Sequence, residues 1–154
     1  MPVKKYIIDT NALISFVTDR NLDQQGEIDR LFKDAARLRI LVLCPQNVLT
    51  EFVYVMDKVY QIPKPEINEM IQDFIDMPGI EVVHDLNMKT LLAYWPEHFK
   101  DYGDAVVAAL CKNTKGSMIA TFDHKFRVKL KKLGLFVYSF LLNDELIRDH
   151  KDLL

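Results

Sequence analysis

The sequence predicts an α/β fold of three layers: a central, mostly parallel five-stranded sheet with helices on both faces. Three observations carry this. Residues 40–44 are a continuous apolar run, the signature of a strand buried on both faces, and four other short, largely apolar stretches read as strands. Between them, apolar residues recur at three- and four-residue steps, the period of amphipathic helices. Strands that alternate with helices pair in parallel, because each crossover carries the chain back to the same edge.

Residues 4–9 form the first strand, which ends in Asp9, and Thr10 or Asn11 caps a short helix over 11–18. Residues 21–26 read as a polar connection. The helix over 27–39 places Ile28, Leu31, Phe32, Ala35 and Leu38 on one face. Residues 40–44 are the second strand, ended by Pro45. The helix over 46–60 has a broad apolar face and one remaining stripe of Asn47, Glu51, Tyr54 and Lys58. Pro65 suits the first turn of a helix over 66–77, Pro78-Gly79 stops it, and 80–83 is the third strand. Asp85 is a cap for a helix reaching about residue 94. Asp101 caps a helix over 102–113 whose run from Ala105 to Leu110 is wholly apolar and therefore central. Residues 117–121 are strand four, 123–133 a basic helix stopped by Gly134, and 135–139 strand five. An amphipathic tail follows from about 144. With no repeat, low-complexity stretch or linker, the expectation is one domain over 1–154.

The chain has 154 residues, 49% of them hydrophobic, and a formal net charge of −2. A protein that holds nucleic acid by bulk charge is usually basic, so any nucleic-acid contact here depends on a local patch. No apolar run has the length of a membrane span, and the N-terminus lacks a signal-peptide pattern, so a cytoplasmic, membrane-free protein is expected. Cys44 and Cys111 both fall in apolar runs without a Cys or His at ligand spacing, and read as reduced core residues.

The chemistry is carried by four acids. Asp9 and Asp123 each end a strand, so both hang over the same sheet edge if strands one and four are neighbours; open α/β sheets bind ligands at that edge. Asp104 follows Asp101 by one turn at the start of a buried helix, where two carboxylates repel unless a cation stands between them. Glu51 lies mid-helix, where a solvated position is the ordinary one, and its interest depends on the other three. Together they form an all-oxygen donor set without Cys or paired His, which selects Mg²⁺ or Mn²⁺ over zinc. Such ions serve phosphodiester chemistry and need no side-chain nucleophile. On the helix after Asp123, Lys125, Lys129 and Lys132 share one stripe, either a phosphate track or a solvated basic face. The aromatics Tyr94, Trp95, Phe99 and Tyr102 read as core or a subunit contact before they read as base-stacking groups.

Asp9-Thr10-Asn11 after an apolar strand, Glu51 in the third helix, Asp104-Ala105 opening an Ala-rich helix, and Thr121-Phe122-Asp123 after a strand together resemble the PIN domain family. The resemblance implies the sheet order 3-2-1-4-5 and an endoribonuclease that hydrolyses RNA by metal-activated water. It implies Asp9, Glu51, Asp104 and Asp123 as catalytic metal ligands, for one or two Mg²⁺ or Mn²⁺ ions. Thr10, Asn11 and Thr121 stand behind them to orient the carboxylates, with Asp101 an additional acid beside the set. Many small members are VapC-type toxins held by a cognate antitoxin and often dimeric, so an antitoxin and a homodimer are the expected protein partners. The competing reading is a non-catalytic PIN-like module that binds RNA or protein. A phosphotransfer domain on a similar scaffold fits less well, because Asn11 occupies the place of the acid that a dehalogenase-like phosphatase needs.

Overall fold

The computed structural model describes residues 3–140. The expected tail from about 144 lies outside the described residues. Four parallel strands, β1 (Lys4–Ile8), β2 (Ile40–Pro45), β3 (Ile80–Val83) and β4 (Ser117–Ala120), form a sheet of order β3-β2-β1-β4. Helices α1 (Thr10–Val17) and α2 (Leu22–Ala36) connect β1 to β2. Helices α3 (Gln46–Lys58) and α4 (Lys64–Asp76) connect β2 to β3. Helices α5 (Met88–Tyr94) and α6 (Tyr102–Asn113) carry the chain back across to β4, and α7 (His124–Lys132) follows.

The order makes β1 the turning point of the topology. The chain leaves β1 towards β2 on one side and returns to β4 on the other, so a crevice opens above the C-terminal ends of β1 and β4. The core explains why β1 sits there. Ile7, Ile8, Val42, Cys44, Ile119 and Ala120 are completely buried, as are Ala105 and Ala108 of α6. Only strands without a polar face can be covered on both sides. Ala105, Ala108 and Ala109 let α6 lie close to the sheet, with contacts to both β1 and β2.

Three expected helix starts are corrected. The cap of α1 is Asp9 itself, not Thr10 or Asn11: its backbone is extended and its side chain accepts from Ala12 N–H. Thr10 is thereby released into the first turn, with its hydroxyl turned elsewhere. Helix α2 begins at Leu22, capped by Asn21, so the supposed connection is helical. That stretch looks solvated, but Gln24 and Ser15 are fully buried and bonded to each other at 2.9 Å. The Ser15 hydroxyl donates to Gln24 Oε1, so that oxygen finds its partner inside the fold. Similarly, α5 is capped by Asn87 rather than Asp85.

The fifth strand shrinks to one parallel bridge, Ile119 to Val137, at the outer side of β4. Ile119 N–H donates to Phe136 O and Tyr138 N–H to Ile119 O, and the ladder stops there. The next rung would use the Tyr138 carbonyl, which instead accepts from Arg127 Nη1 at 3.0 Å. The segment keeps its expected place beside β4 without strand geometry. Both cysteines are buried and free, as expected, and burial pushes the Cys44 thiol up to about 12.

Candidate active site

Each acid reaches the crevice by a different route. Asp9 is delivered by the end of β1 and is almost wholly buried. Its Oδ1 accepts from Ala12 N–H at 3.0 Å, and its Oδ2 accepts from the Thr121 hydroxyl, which follows β4. Thr121 Oγ1 in turn accepts from Asp123 N–H at 3.1 Å, so one hydroxyl joins the two strand-end acids. Asp123 caps α7 by accepting from Phe126 N–H. Asp101 caps α6 by accepting from Asp104 N–H at 2.9 Å, which leaves the Asp104 side chain free to face the crevice. Glu51 comes from the second turn of α3 and accepts from the Thr10 hydroxyl at 2.6 Å.

Asp9, Glu51, Asp101, Asp104 and Asp123 line one cavity of about 590 Å³, together with Thr10, Asn11 and Asn47. Ile14, Val48, Val55 and Val107 form apolar walls, and Tyr54 and Tyr60 stand on the α3 side. The stripe of Asn47, Glu51 and Tyr54 thus lines the crevice, with Glu51 and Tyr54 still exposed to solvent. Lys58 leaves it and pairs with Asp57 at 3.5 Å. Among the described residues no lysine or arginine lines the cavity. Arg20 stands behind α1 with its guanidinium bonded to the Asn11 carbonyl and the Ser15 hydroxyl, both at 2.9 Å.

Burial, with no lysine or arginine in the described lining, sets the electrostatics. It raises Asp9 to about 6, offset in part by the donors Thr121 and Ala12 and reinforced by Asp123 and Glu51. Asp104 is raised to about 8, first by burial, then by Asp101, Asp9, Asp123 and Glu51. Glu51 is raised by burial and by Asp101, against the Thr10 bond. Five carboxylates therefore share one cavity, and burial there disfavours the charge of Asp9, Glu51 and Asp104. Among the described residues, no three His, Cys, Asp or Glu side chains are already arranged as a metal centre. The chemistry of the donor set nevertheless fits a hard divalent cation: oxygen donors only, and clustered carboxylates with no lysine or arginine in the described lining.

The sequence matches the family model of the PIN domain over residues 6–131. The chain belongs to the PIN domain family. This span holds β1 from Tyr6 onward, the other three strands and every acid named above. PIN is a nuclease-type fold. The crystal structure of PAE2754 from Pyrobaculum aerophilum superposes with a TM-score of 0.59 at 15% identity, covering 83% of this chain and 87% of that one. At that identity the likeness concerns the fold. No curated protein matches the chain.

The three lysines do not line the cavity. Lys125, Lys129 and Lys132 are exposed along α7, which starts at the rim with Asp123. Arg127 of the same helix is buried and holds Tyr138 O, so the basic character of α7 is only partly a surface property. The aromatic group packs on itself: Trp95 meets Tyr102 edge-on at 5.3 Å, Tyr94 meets Phe99 at 5.8 Å, and Phe99 is buried. Sequence reasoning did not single out Gly103, which lines the cavity between two acids. An isolated glycine inside the first turn of a predicted helix was the available signal.

Proposed function

We propose that this PIN-domain chain is a Mg²⁺- or Mn²⁺-dependent endoribonuclease that hydrolyses RNA phosphodiester bonds, and that it acts as the toxin of a toxin–antitoxin pair. One observation carries the catalytic reading: acids from four separate elements, β1, α3, α6 and the end of β4, line a single cavity that lacks any basic side chain among the described residues. The motif set around those acids supports the toxin reading, with a cognate antitoxin and a second copy as protein partners.

Asp9, Glu51, Asp104 and Asp123 would hold the cation. When bound, it would polarise the scissile phosphate and activate the attacking water. The remaining work falls to the chain. Thr121 and Ala12 N–H fix both oxygens of Asp9, and Thr10 aims Glu51. Asp101 holds the α6 start so that Asp104 faces inward. Ile14, Val48, Val55 and Val107 line the cavity beside the acids as its apolar walls. No nucleophile is drawn from Cys44, whose thiol is buried and pushed up to about 12. Lys125, Lys129 and Lys132 supply a phosphate track outside the cavity.

The absence of a ready metal arrangement among the described residues favours one alternative, a non-catalytic module that binds RNA or protein through the same cleft. Incubation of a mixed RNA pool with the isolated chain decides between them, with Mn²⁺, with EDTA, and with Asp9→Asn. Cutting that needs Mn²⁺ and is lost in the variant is the expected result. No cutting and no Mn²⁺-dependent rise in Tm would leave the module.

A further inference from the structure

Gly103 occupies the first turn of α6, between the cap Asp101 and the cavity acid Asp104. Its backbone does not require glycine. Positive φ is found at Gly79, Gly116 and Gly134, and Gly103 is not among them. A glycine in a helix is otherwise inferior to alanine, since it orders a freer backbone and adds no contact. What distinguishes the position is space. A β-carbon built there would lie 2.2 Å from Glu51 Oε1, 3.2 Å from Glu51 Cδ and 3.1 Å from Asp101 Oδ1.

The Glu51 carboxylate therefore fills the volume that any other residue's β-carbon would take. Its other oxygen, Oε2, is tied to the Thr10 hydroxyl at 2.6 Å. Between the two, the carboxylate spans α1 and α6 from its own helix α3. We propose that Gly103 is a positioning residue: the missing side chain admits the Glu51 carboxylate to the start of α6 and so keeps it within the acid cluster. The consequence for metal binding rests on the metal-dependent reading above; the steric relation between Gly103 and Glu51 does not. The obstructed group is the end of a flexible side chain on an exposed residue, so a β-carbon displaces the carboxylate without unfolding the protein.

The test introduces Gly103→Ala into the native chain and into Glu51→Ala, with two readouts: Mn²⁺ affinity by calorimetry and Tm in EDTA. In the native background Gly103→Ala is expected to weaken Mn²⁺ binding roughly 10- to 100-fold, about as much as Glu51→Ala, with an unchanged circular dichroism spectrum. In the Glu51→Ala background it should cost no further affinity. Without metal, the Tm change caused by Gly103→Ala should be more favourable in the Glu51→Ala background, where helix propensity acts unopposed. Native Mn²⁺ affinity in the single variant would overturn the proposal, and so would an equal loss in both backgrounds, which would assign the glycine to α6 or to the Asp101 cap. If the native protein binds no Mn²⁺, the metal-dependent reading falls, and the EDTA series alone decides: additive Tm changes then overturn the positioning role.

Discussion

The two oxygens of Asp9 are divided between Ala12 N–H and the Thr121 hydroxyl, and that division governs what substitutions at this site should do. Thr121→Val keeps the shape and removes the donor to Asp9 and the acceptor for Asp123 N–H. The orphaned amide alone should cost about 1–3 kcal/mol in urea unfolding. Mn²⁺ affinity should fall about 10- to 100-fold through the misoriented carboxylate, measured by calorimetry. Asp9→Asn works in the opposite sense on the metal-free fold. It keeps the cap acceptor and removes a buried charge, so Tm in EDTA at pH 8 should rise while the Mn²⁺-induced rise disappears. A lower Tm in EDTA would show that the charge of Asp9 is better compensated than its surroundings suggest.

At the scale of elements, α2 shows how a polar stretch becomes structural. Asn21 accepts from Gln24 N–H at 3.1 Å and starts the helix, while the Gln24 side chain turns inward to Ser15. Asn21→Ala should destabilise the protein by about 1 kcal/mol, read as a lower urea midpoint at unchanged slope. The β2–β3 edge holds a stricter constraint. Gly79 has φ +81°, and a β-carbon there would lie 2.2 Å from Ala35 O of α2. Gly79→Ala must move backbone rather than a side chain, so its thermal destabilisation should exceed that of the cap variant. Comparable Tm losses for the two would show that α2 can shift away from the strand.

For the whole molecule the acids make stability depend on pH with a definite sign. Asp9 and Asp104 are raised from an ordinary 3.8 to about 6 and about 8. The folded chain therefore holds protons that the unfolded chain has already released. Below pH 3.8 both states are protonated and the groups contribute no difference. As pH rises the fold loses stability, up to about 6 for Asp9 and up to about 8 for Asp104, and the penalty is constant above. In EDTA the native protein should thus lose more Tm between pH 5 and 8.5 than Asp104→Asn does. With Mn²⁺ the trend reverses, because binding requires the deprotonated carboxylates: the metal-induced rise in Tm should grow up to about pH 8. A metal-induced shift that is flat over this range would contradict the raised values.

Much of this architecture is legible along the chain for identifiable reasons. Short apolar runs bounded by turn residues read as buried strands, and strands that alternate with helices pair in parallel, so β1, β2 and their parallel pairing are legible in residue order. The strand-end acids Asp9 and Asp123 are legible for the same reason, since each directly follows residues that must be buried. Glu51 alone was not, because a glutamate on a helix looks the same whether it faces water or a cavity. Its role depends on α1 and α6, which approach from distant parts of the chain. The polar start of α2, the shortened fifth strand and the clearance at Gly103 were hidden likewise. Each is settled by a partner on another segment of the fold: Ser15 for Gln24, Arg127 for Tyr138, and Glu51 for Gly103. Sequence by itself determined the class of fold and which carboxylates are candidates, because burial and periodicity are local properties; the sheet order up to β4 followed only from the resemblance of the motifs to the PIN family. Only the tertiary structure decided which oxygens are held by Thr10, Thr121 and Ala12, and that five carboxylates share one cavity without a lysine or arginine among its described lining. Distances between side chains from different elements are set by packing, and no single segment encodes them.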